Sequence, residues 1–499
     1  MTSQDPYNQY KTTLQKIADI KYASAVLQWD QETYLPQNGN DARGRQIATL
    51  NEIAHEHFTA DGFGNILKEL TANQNLSDRE KRNVQLSTED YNRNKKIPPS
   101  FVHTLSNAIN SGYHAWIQAR RENSFSIFEK PLQQIIDLKK QEADLLGYEK
   151  HPYDALMNDY DKGLTTTIVD KLFADLHPPL SALLAKIATQ PQIDNSFLHQ
   201  HFDKTVQWDT GIEILKRMYF NFDAGRQDMS EHPFTTNFSS QDVRVTTRVD
   251  ENDFANMLWS CIHEGGHALY EQGLPNDEYG MPLGTYCSLS IHESQSRLWE
   301  NCIGRGLPFW KHNYGLLQQK FPTQFSPIST EKFYKAINKV TPSLIRTEAD
   351  ELTYHFHVMI RYEIEKLLIE GSISAKDIPS YWNAHYKKYL NVTVPDDLHG
   401  CLQDVHWSHG SFGYFPTYSI GSLYAAQFFA AIKNQHPNIE TFIVQGNTFG
   451  VLEWLQKNIY AHGTYYTSEQ LCKNATGQTL NSKFFLDYVE KKFAIIYNF

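Results

Sequence analysis

The feature that most constrains the fold of this chain is a helix-forming stretch that carries two histidines about one helical turn apart. Between Asn252 and Tyr270, apolar side chains recur at the three- and four-residue spacing of a helix with one buried face. Residues 263–267 within this stretch read His-Glu-Gly-Gly-His. Histidines at this spacing lie on one helix face, where both imidazoles can bind a single zinc ion. Glu264 could then take a proton from a water molecule on that ion.

The pentapeptide alone does not decide the matter, because a solvated helix with two ordinary histidines has the same pattern. An N-cap at Asp250 or Asn252 and a stop at Gly273 are expected to bound the helix. Gly265 and Gly266 are costly inside it, since each interior glycine weakens a helix by about 1 kcal/mol relative to alanine. Such a pair is expected where a substrate or a packed helix approaches the backbone closely. These surroundings favour a metal site.

Composition and charge describe a large globular chain and exclude several classes of function. The 499 residues, 40% of them hydrophobic, are enough to bury a large core. A formal net charge of -11 and the lack of a long basic run argue against a nucleic-acid-binding protein. The first residues lack the pattern of a signal peptide, no apolar run is long enough to span a bilayer, and five widely spaced cysteines suit reduced thiols. We therefore expect a cytoplasmic protein that binds neither nucleic acid nor membrane.

Most of the sequence has the periodicity of helices. One example is the apolar stripe that begins at Ile345 and ends before Gly371. Proline and glycine are scattered rather than gathered into a linker, and there is no internal repeat. We predict one large, mostly helical catalytic domain over residues 1–499, whose N-terminal helices, about 1–150, could form a semi-independent lid.

One segment departs from the helical pattern. Between Gln241 and Asp250, valines and a threonine alternate with polar residues, which predicts a strand with one buried face. The same alternation places Asp242, Arg244 and Thr246 together on the other face. A solvated hairpin face is the plainer interpretation of these three residues.

A catalytic zinc ion usually has three protein ligands, so the two histidines need a third. The metzincin spacing is absent, because Tyr270 and Gly273 occupy the positions where that class has glycine and histidine. A carboxylate from the same or a following segment is the alternative, and the candidates are Glu271, Asp277, Glu278, Glu293 and Glu300.

Glu293 is the preferred candidate for the third ligand. It lies near the start of a predicted helix that runs to Gly304, and the loop before it is long enough to turn that helix back against the first. Glu271 would instead place every ligand on a single helix. For Glu300 we expect only a surface contact or a contact that supports a ligand.

The chain resembles the carboxypeptidase Taq family of metallocarboxypeptidases over most of its length. The resemblance rests on ordered motifs, which are the pentapeptide at 263–267 together with His232–Phe234, Asp242–Thr246, His292–Gln295, Ile345–Asp350 and Gly400–Trp407, and near the N-terminus Leu27–Pro36. It implies a mostly helical, neurolysin-like zincin fold with a deep substrate groove, to which the alternation described above adds a small β-element near 237–250. It also implies a homodimer that removes single C-terminal residues from peptides with broad specificity.

In this interpretation the first group of site residues holds the metal and activates water. His263, His267 and Glu293 would hold one zinc ion per chain, although cobalt or another divalent ion also suits such ligands. Glu264 would act as general base, and removing its carboxylate should leave the metal bound while abolishing most turnover.

A second group of residues would stabilise the oxyanion of the tetrahedral intermediate. By resemblance to related helical zinc peptidases, His406 and Tyr418 are the expected pair. Tyr414 is the alternative to Tyr418, and core packing is the plainer interpretation of either tyrosine.

An exopeptidase must also bind the free carboxylate of its substrate, and a guanidinium can bind both oxygens at once. Arg346 is the leading candidate. We expect it to begin a helix and to pair with Asp350, although this pair could be only a surface salt bridge. Arg244 would be a second clamp or would organise its strand. Supporting roles are expected for Asp242, Gln403 and Asp404.

Two other functions share part of this pattern. A zinc-dependent oligo-endopeptidase of similar helical fold would share the metal but cut internal bonds. A catalytically dead interaction protein would keep the helix only as scaffold, and the intact Glu264 argues against it.

Overall fold

The computed structural model describes residues 5–499, of which the great majority are helical. Helix accounts for 69% of the chain, and the rest includes one small three-stranded sheet. The predicted mostly helical class is therefore confirmed. No helix within residues 5–499 is both long and apolar enough to cross a membrane.

The α-helices of the described residues are numbered here in chain order. The first ten are α1 (Pro6–Thr33), α2 (Asn40–Thr59), α3 (Asp61–Ala72), α4 (Asp78–Lys96), α5 (Pro99–Glu122), α6 (Ser126–Leu146), α7 (Pro152–Met157), α8 (Thr166–Ala188), α9 (Lys204–Arg217) and α10 (Phe254–Gln272). The next six are α11 (Leu289–Arg297), α12 (Leu307–Lys320), α13 (Pro322–Phe325), α14 (Thr330–Ala336), α15 (Tyr354–Glu370) and α16 (Ile378–Leu390). The last five are α17 (Phe415–Gln435), α18 (Ile439–Val444), α19 (Phe449–Asn458), α20 (Ser468–Thr476) and α21 (Lys483–Tyr497).

The sheet has the strand order β1-β3-β2, with bounds β1 (Gly225–Met229), β2 (Thr235–Ser239) and β3 (Asp242–Thr247). The central strand β3 pairs parallel with β1 and antiparallel with β2. Val243 and Val245 are completely buried, as the alternation predicts. The β-element expected near 237–250 is thus β2 and β3. Strand β1 was not predicted, because its sequence Gly-Arg-Gln-Asp-Met lacks the alternation of apolar and polar residues.

The chain forms two compact units, each built from separate stretches of sequence. The first unit comprises the residues through Lys95 together with Asp194–Ile337 and Tyr424–Leu480. The second comprises Lys96–Ile193, Asn338–Leu423 and Asn481–Phe499. Residues 1–150 are therefore divided between the units at Lys95, and a lid role for them stays a prediction.

Helix α10, which carries the pentapeptide, begins a little later than the sequence suggested. Its N-cap is Asp253, whose carboxylate accepts a hydrogen bond from Ala255 N at 3.0 Å, and not Asp250 or Asn252. Asp250 instead accepts from Asn252 N at 2.8 Å in the turn before the helix. The predicted stop is correct, since Gly273 is the C-cap. Several neighbouring acidic and amide side chains can each accept a nearby backbone amide, so the sequence alone does not decide which of them caps the helix.

The helix expected to begin at Ile345 begins instead at Tyr354. Arg346–Glu348 form a short 3-10 turn, and the Asp350 carboxylate accepts hydrogen bonds from Leu352 N and Thr353 N, both at 2.9 Å. These bonds hold a turn in place of the first helical residues. The helix ends as predicted, at Gly371, whose φ of 87° lies in the left-handed region.

Candidate active site

The glycine pair of the pentapeptide lets two other helices pack directly on α10. A Cβ atom on Gly266 would lie 2.7 Å from Ser296 Cα and 2.8 Å from Gln295 O, both in the backbone of α11. A Cβ atom on Gly265 would lie 2.6 Å from Leu215 Cδ2 on α9. The sequence suggested that the glycine pair makes room either for a packed helix or for a substrate. The structure shows packed helices at both glycines, so the explanation by a substrate is wrong. The close approach of α11 is what brings its side chains to the histidines of α10.

His263 and His267 of α10 meet Glu293 of α11 in one cluster. One potential ligand atom from each residue lies within 4.8 Å of the others. The Nε2 atoms of His263 and His267 are 3.8 Å and 3.4 Å from Glu293 Oε2. Two imidazoles and one carboxylate are the donor set of many catalytic zinc sites, so the residues fit a divalent metal ion. The structure thus brings together the three ligands predicted from the sequence.

Glu300 supports the first of these histidines. Its Oε2 lies 2.9 Å from His263 Nδ1, and Arg297 and Arg305 pair with the same carboxylate at 3.2 Å and 3.0 Å. Burial alone would raise the pKa of Glu300, but Arg297, His263 and Arg305 together hold that pKa well below its usual range. Of the two expectations for Glu300, the surface contact is wrong, because the residue is buried and contacts a ligand candidate.

A longer connection leads away from the second histidine. His267 Nδ1 lies 2.6 Å from His292 Nδ1, and His292 Nε2 lies 2.7 Å from Glu271 Oε1. The other oxygen of Glu271 accepts a hydrogen bond from Asn237 Nδ2 of β2 at 2.6 Å. Glu271, one of the alternatives for the third ligand, is therefore engaged by His292 and Asn237 instead.

The proposed general base is buried beside this cluster. Glu264 is 8% exposed, and its Oε2 accepts a hydrogen bond of 2.6 Å from Thr235 Oγ1 of β2. Burial raises the pKa of Glu264, while His263 and the Thr235 hydroxyl act in the opposite direction. A carboxylate with one oxygen fixed by a hydroxyl is suited to accepting and returning a proton from a constant position.

Arg244 is held on the sheet as the strand pattern predicts. Its Nε and Nη2 atoms donate to the two oxygens of Asp242, each at 3.0 Å. Its guanidinium also lies 4.3 Å from the ring centroid of Trp29 and 4.8 Å from that of Phe238. Thr246, on the same predicted face, is buried and its hydroxyl accepts from Phe234 N at 2.9 Å. This face is therefore not a solvated hairpin surface.

Arg346 belongs to a buried charge network in the second unit. It donates to Asp404 Oδ1 through Nε at 2.9 Å and to the Tyr354 hydroxyl through Nη1 at 3.0 Å. Arg361 Nε donates to the other oxygen of Asp404 at 2.6 Å. The expected ion pair with Asp350 is wrong. Asp350 Oδ1 accepts from Leu352 N and Thr353 N, and Oδ2 accepts from Thr341 N and the Thr353 hydroxyl. The supporting role expected for Asp404 corresponds to these contacts.

Gln403 and His406 adjoin the same network. The Gln403 side-chain oxygen accepts from Arg346 N at 2.9 Å and from Arg361 Nη2 at 2.8 Å. His406 Nε2 lies 3.1 Å from the Tyr418 hydroxyl, and burial together with Arg346 lowers the pKa of His406 to about 3. The imidazole is consequently neutral at neutral pH.

Both candidate tyrosines lie close to His406. The ring centroids of Tyr414 and Tyr418 are 5.4 Å and 6.0 Å from that of His406, and 5.1 Å from each other. The Tyr418 ring also lies 4.8 Å from the Arg346 guanidinium. The second unit thus brings Arg346, His406, Tyr414 and Tyr418 into one cluster.

Comparison with known proteins identifies the family of the chain. The profile of a family described as "Carboxypeptidase Taq (M32) metallopeptidase" matches residues 9–493. The chain belongs to this family. The M32 protein is 37% identical to "Carboxypeptidase 1" of Bacillus subtilis, a match that covers 97% of each chain.

Solved structures agree with this assignment. The M32 carboxypeptidase of Deinococcus radiodurans R1 is 36% identical, with a TM-score of 0.97 over 99% of this chain and 100% of that one. A solved structure described as CHT is 56% identical, with a TM-score of 0.96 over 98% of this chain and 99% of that one. The M32 chain is therefore an enzyme, a metallocarboxypeptidase, as the resemblance implied.

Two contacts of the M32 chain were not anticipated from its sequence. One is the packing of Trp29, within the N-terminal motif, against Arg244. The other involves Glu365 of α15, which is fully buried and accepts hydrogen bonds from Trp407 Nε1 at 2.8 Å, from Gly413 N at 3.0 Å and from the Tyr153 hydroxyl. Burial raises the pKa of Glu365 to about 7. The sequence offered one signal for the buried position of Glu365, namely that a charged residue lies beside the apolar stripe of a predicted helix.

Proposed function

We propose that this metallocarboxypeptidase removes single C-terminal residues from peptides with broad specificity, using one zinc ion held by His263, His267 and Glu293. The observation that carries the proposal is the convergence of these two imidazoles and one carboxylate within 4.8 Å. When bound there, zinc supplies a Lewis acid that polarises a carbonyl group and lowers the pKa of water. Cobalt or another divalent ion is compatible with the same nitrogen and oxygen donors.

Glu264 is proposed as the general base of the reaction. Its Oε1 atom is the one that we assign to the proton of the attacking water, since Oε2 accepts the Thr235 hydroxyl at 2.6 Å. The same carboxyl group then carries the proton to the leaving amine. Burial favours this exchange because it raises the pKa of Glu264 toward neutrality.

His406 and Tyr418 are proposed to stabilise the developing oxyanion. Support comes from the distance of 3.1 Å between His406 Nε2 and the Tyr418 hydroxyl, and from the low pKa of the histidine. A neutral imidazole can accept a hydrogen bond from the tyrosine hydroxyl or donate one to it. Either bond orients the hydroxyl. Tyr414 remains the alternative donor.

Arg346 and Arg244 are proposed to bind the free carboxylate of the substrate. In each case an aspartate holds the guanidinium, Asp404 at 2.9 Å and Asp242 at 3.0 Å. A guanidinium that is already oriented loses little side-chain entropy when it binds a carboxylate with two parallel hydrogen bonds.

Three wider features complete the proposal, and each derives from the family resemblance and the sequence. They are a deep substrate groove, assembly as a homodimer and a cytoplasmic location. None of the five cysteines, all of which lie within residues 5–499, forms a disulfide, which is compatible with a reducing compartment.

The test compares a set of unblocked peptides with their C-terminal amides, with and without a chelator, by mass spectrometry. We expect stepwise loss of C-terminal residues from the unblocked peptides, no reaction with the amides, and recovery of chelated enzyme on addition of zinc. Cleavage at internal bonds would instead indicate an oligo-endopeptidase. Stepwise trimming that resists complete metal removal would contradict the mechanism.

A further inference from the structure

The hydrogen-bonded chain that runs from Asn237 through Glu271 and His292 ends on a proposed metal ligand. We infer that these three residues are positioning residues that fix the ring orientation and tautomer of His267. The inference rests on the proposed function in one respect, namely that His267 binds the metal ion. It assigns a role to Glu271 and to the histidine of the His292–Gln295 motif that the proposed mechanism leaves unused.

The donor and acceptor chemistry of the partners allows a direction to be assigned to each hydrogen bond in the chain. The Asn237 amide nitrogen can only donate, so Glu271 Oε2 accepts from it at 2.6 Å. A carboxylate oxygen is an acceptor, so we assign His292 Nε2 as the donor to Glu271 Oε1, at 2.7 Å. In a neutral imidazole the remaining nitrogen, His292 Nδ1, is an acceptor.

His267 must then donate through Nδ1 to His292 Nδ1, across 2.6 Å. Its Nε2 atom is left with a lone pair, and this atom is the one that lies 3.4 Å from Glu293 Oε2 in the ligand cluster. The chain of hydrogen bonds therefore selects the tautomer that a metal ligand requires.

The two ligand histidines are supported in different ways. His263 contacts the Glu300 carboxylate directly at 2.9 Å, whereas a second imidazole separates His267 from the Glu271 carboxylate. The longer chain spans three elements, with Asn237 on β2, Glu271 on α10 and His292 on α11. Since Glu271 is 4% exposed, water competes little with these bonds.

A purely structural network that ties α11 to α10 is the competing explanation. The two explanations differ in their effect on metal affinity. A structural network would lower the stability of the metal-free protein without changing the affinity of the folded protein for zinc. A positioning network changes the affinity itself, because a free imidazole must lose rotational freedom and select a tautomer when it binds the metal.

The experiment measures zinc affinity of the full-length protein by competition with a chelating indicator. His292→Phe keeps a ring against Tyr270 and Tyr286 but removes both nitrogens, and we expect it to weaken zinc binding about 10- to 100-fold. Glu271→Gln keeps the side-chain shape, and we expect a smaller loss in the same direction. Tyr286→Phe is the matched control, since its ring lies 4.8 Å from that of His292 but it lies outside the chain of hydrogen bonds.

The zinc affinity separates the two explanations, and thermal unfolding of the metal-free variants measures any loss of stability independently. Unchanged zinc affinity in both His292→Phe and Glu271→Gln would overturn the inference, whether or not the melting temperature falls. If His292→Phe does not fold, Glu271→Gln and Asn237→Ala decide the outcome by the same measurement. A Glu293→Gln variant tests the underlying metal assignment separately, because unchanged affinity in that variant would refute the proposed ligand set itself.

Discussion

At the scale of single residues, Thr235 and Glu264 show how a buried carboxyl group is kept available for proton transfer. The Thr235 hydroxyl donates to the side chain of Glu264 at 2.6 Å and lies 3.0 Å from its backbone oxygen. One threonine thereby links β2 to the residue of α10 on which the proposed chemistry depends. The contact fixes the orientation of the buried carboxylate.

Replacing Thr235 by valine removes this donor while keeping the shape of the side chain. Because a hydrogen bond to a charged group contributes about 1.5–3 kcal/mol, we expect kcat to fall about 10- to 100-fold. KM should change little, since the hydroxyl contacts the base rather than the substrate. Steady-state kinetics on an unblocked peptide measure both values. Thr235→Ser is the control and should retain most activity, and equal losses in the two variants would contradict the proposed role.

Arg244 allows a second prediction at this scale. Arg244→Lys keeps the positive charge but loses the planar fork that could bind two carboxylate oxygens. We expect KM for unblocked peptides to rise about 10-fold, the equivalent of one 1.4 kcal/mol step. Arg226→Lys is a suitable control, because Arg226 also lies near the Trp29 ring, at 5.4 Å, and also pairs with a strand aspartate. A similar rise in KM for both variants would indicate that Arg244 only organises its strand and does not bind the substrate carboxylate.

At the scale of secondary-structure elements, the approach of α11 to α10 depends on a missing side chain. A Cβ atom at position 266 would lie within 2.8 Å of two backbone atoms of α11, and backbone cannot rotate away as a side chain can. We expect Gly266→Ala to lower the free energy of unfolding by about 1–3 kcal/mol and to weaken zinc binding.

Chemical denaturation of the metal-free protein measures the first of these effects. Gly315→Ala in α12 is the matched control, since nothing lies within 4 Å of a Cβ atom there. This control should be neutral or stabilising, because alanine favours a helix over glycine by about 1 kcal/mol. A Gly266→Ala variant as stable as this control would show that the two helices can separate without cost.

The raised pKa of Glu365, which accepts hydrogen bonds from Trp407 and Gly413, predicts that the stability of the folded chain depends on pH. Burial raises its pKa to about 7 in the folded chain, against an ordinary value of 4.5. Between these values the folded state binds the proton more tightly than the unfolded state, so this residue contributes stability at low pH that is lost as the pH rises toward 7. The loss corresponds to about 3 kcal/mol at most.

Denaturation of the wild type and of Glu365→Gln at pH 5 and at pH 8 measures this dependence. The variant cannot ionise at position 365, so the wild type should lose more stability than the variant as the pH increases. The difference between the two proteins cancels the contribution of the other titrating groups. An equal loss in both proteins would show that Glu365 keeps an ordinary pKa.

The elements that were predicted correctly are those whose signal is local. The periodicity of α10 and the alternation of β3 both arise from one buried face, and each can be read within its own segment. The start of α15 could not be predicted in this way, because it depends on the hydrogen bonds that Asp350 accepts from backbone amides of its own turn. Strand β1 was missed because its place beside β3 comes from pairing with a distant segment.

In the candidate site, too, the residues with a local sequence signal were predicted and those defined by distant contacts were not. Metal-ligand candidates could be chosen because their chemistry is specific and their spacing is restricted. Thr235, Trp29 and Glu365 could not be chosen in this way, since they are ordinary residue types whose roles come from contacts across the fold. A supporting role was expected for Asp404. Its ion pairs with Arg346 and Arg361 were not predicted.

At the scale of the whole molecule, each compact unit is assembled from three separate stretches of sequence. The first unit needs residues as late as Leu480, and the second extends to Phe499.

A chain that ends at residue 423 contains every proposed metal ligand yet lacks the Tyr424–Leu480 part of the unit that holds them. We expect this fragment to bind zinc at least 100-fold more weakly than the full chain, the effect of a loss of about 2.7 kcal/mol. Competition with a chelating indicator measures the affinity, and tight binding by the fragment would show that the ligand helices fold without the later segment.

This interleaving has a consequence for how the protein is made. A ribosome adds about 5–20 residues each second, so the histidines of α10 leave it many seconds before the last segment of their unit exists. During that interval the apolar faces of the early helices have no complete partner, which exposes the nascent chain to aggregation and to capture by chaperones. We therefore expect the proposed metal site to be complete only after the Tyr424–Leu480 segment of its unit has also been synthesised.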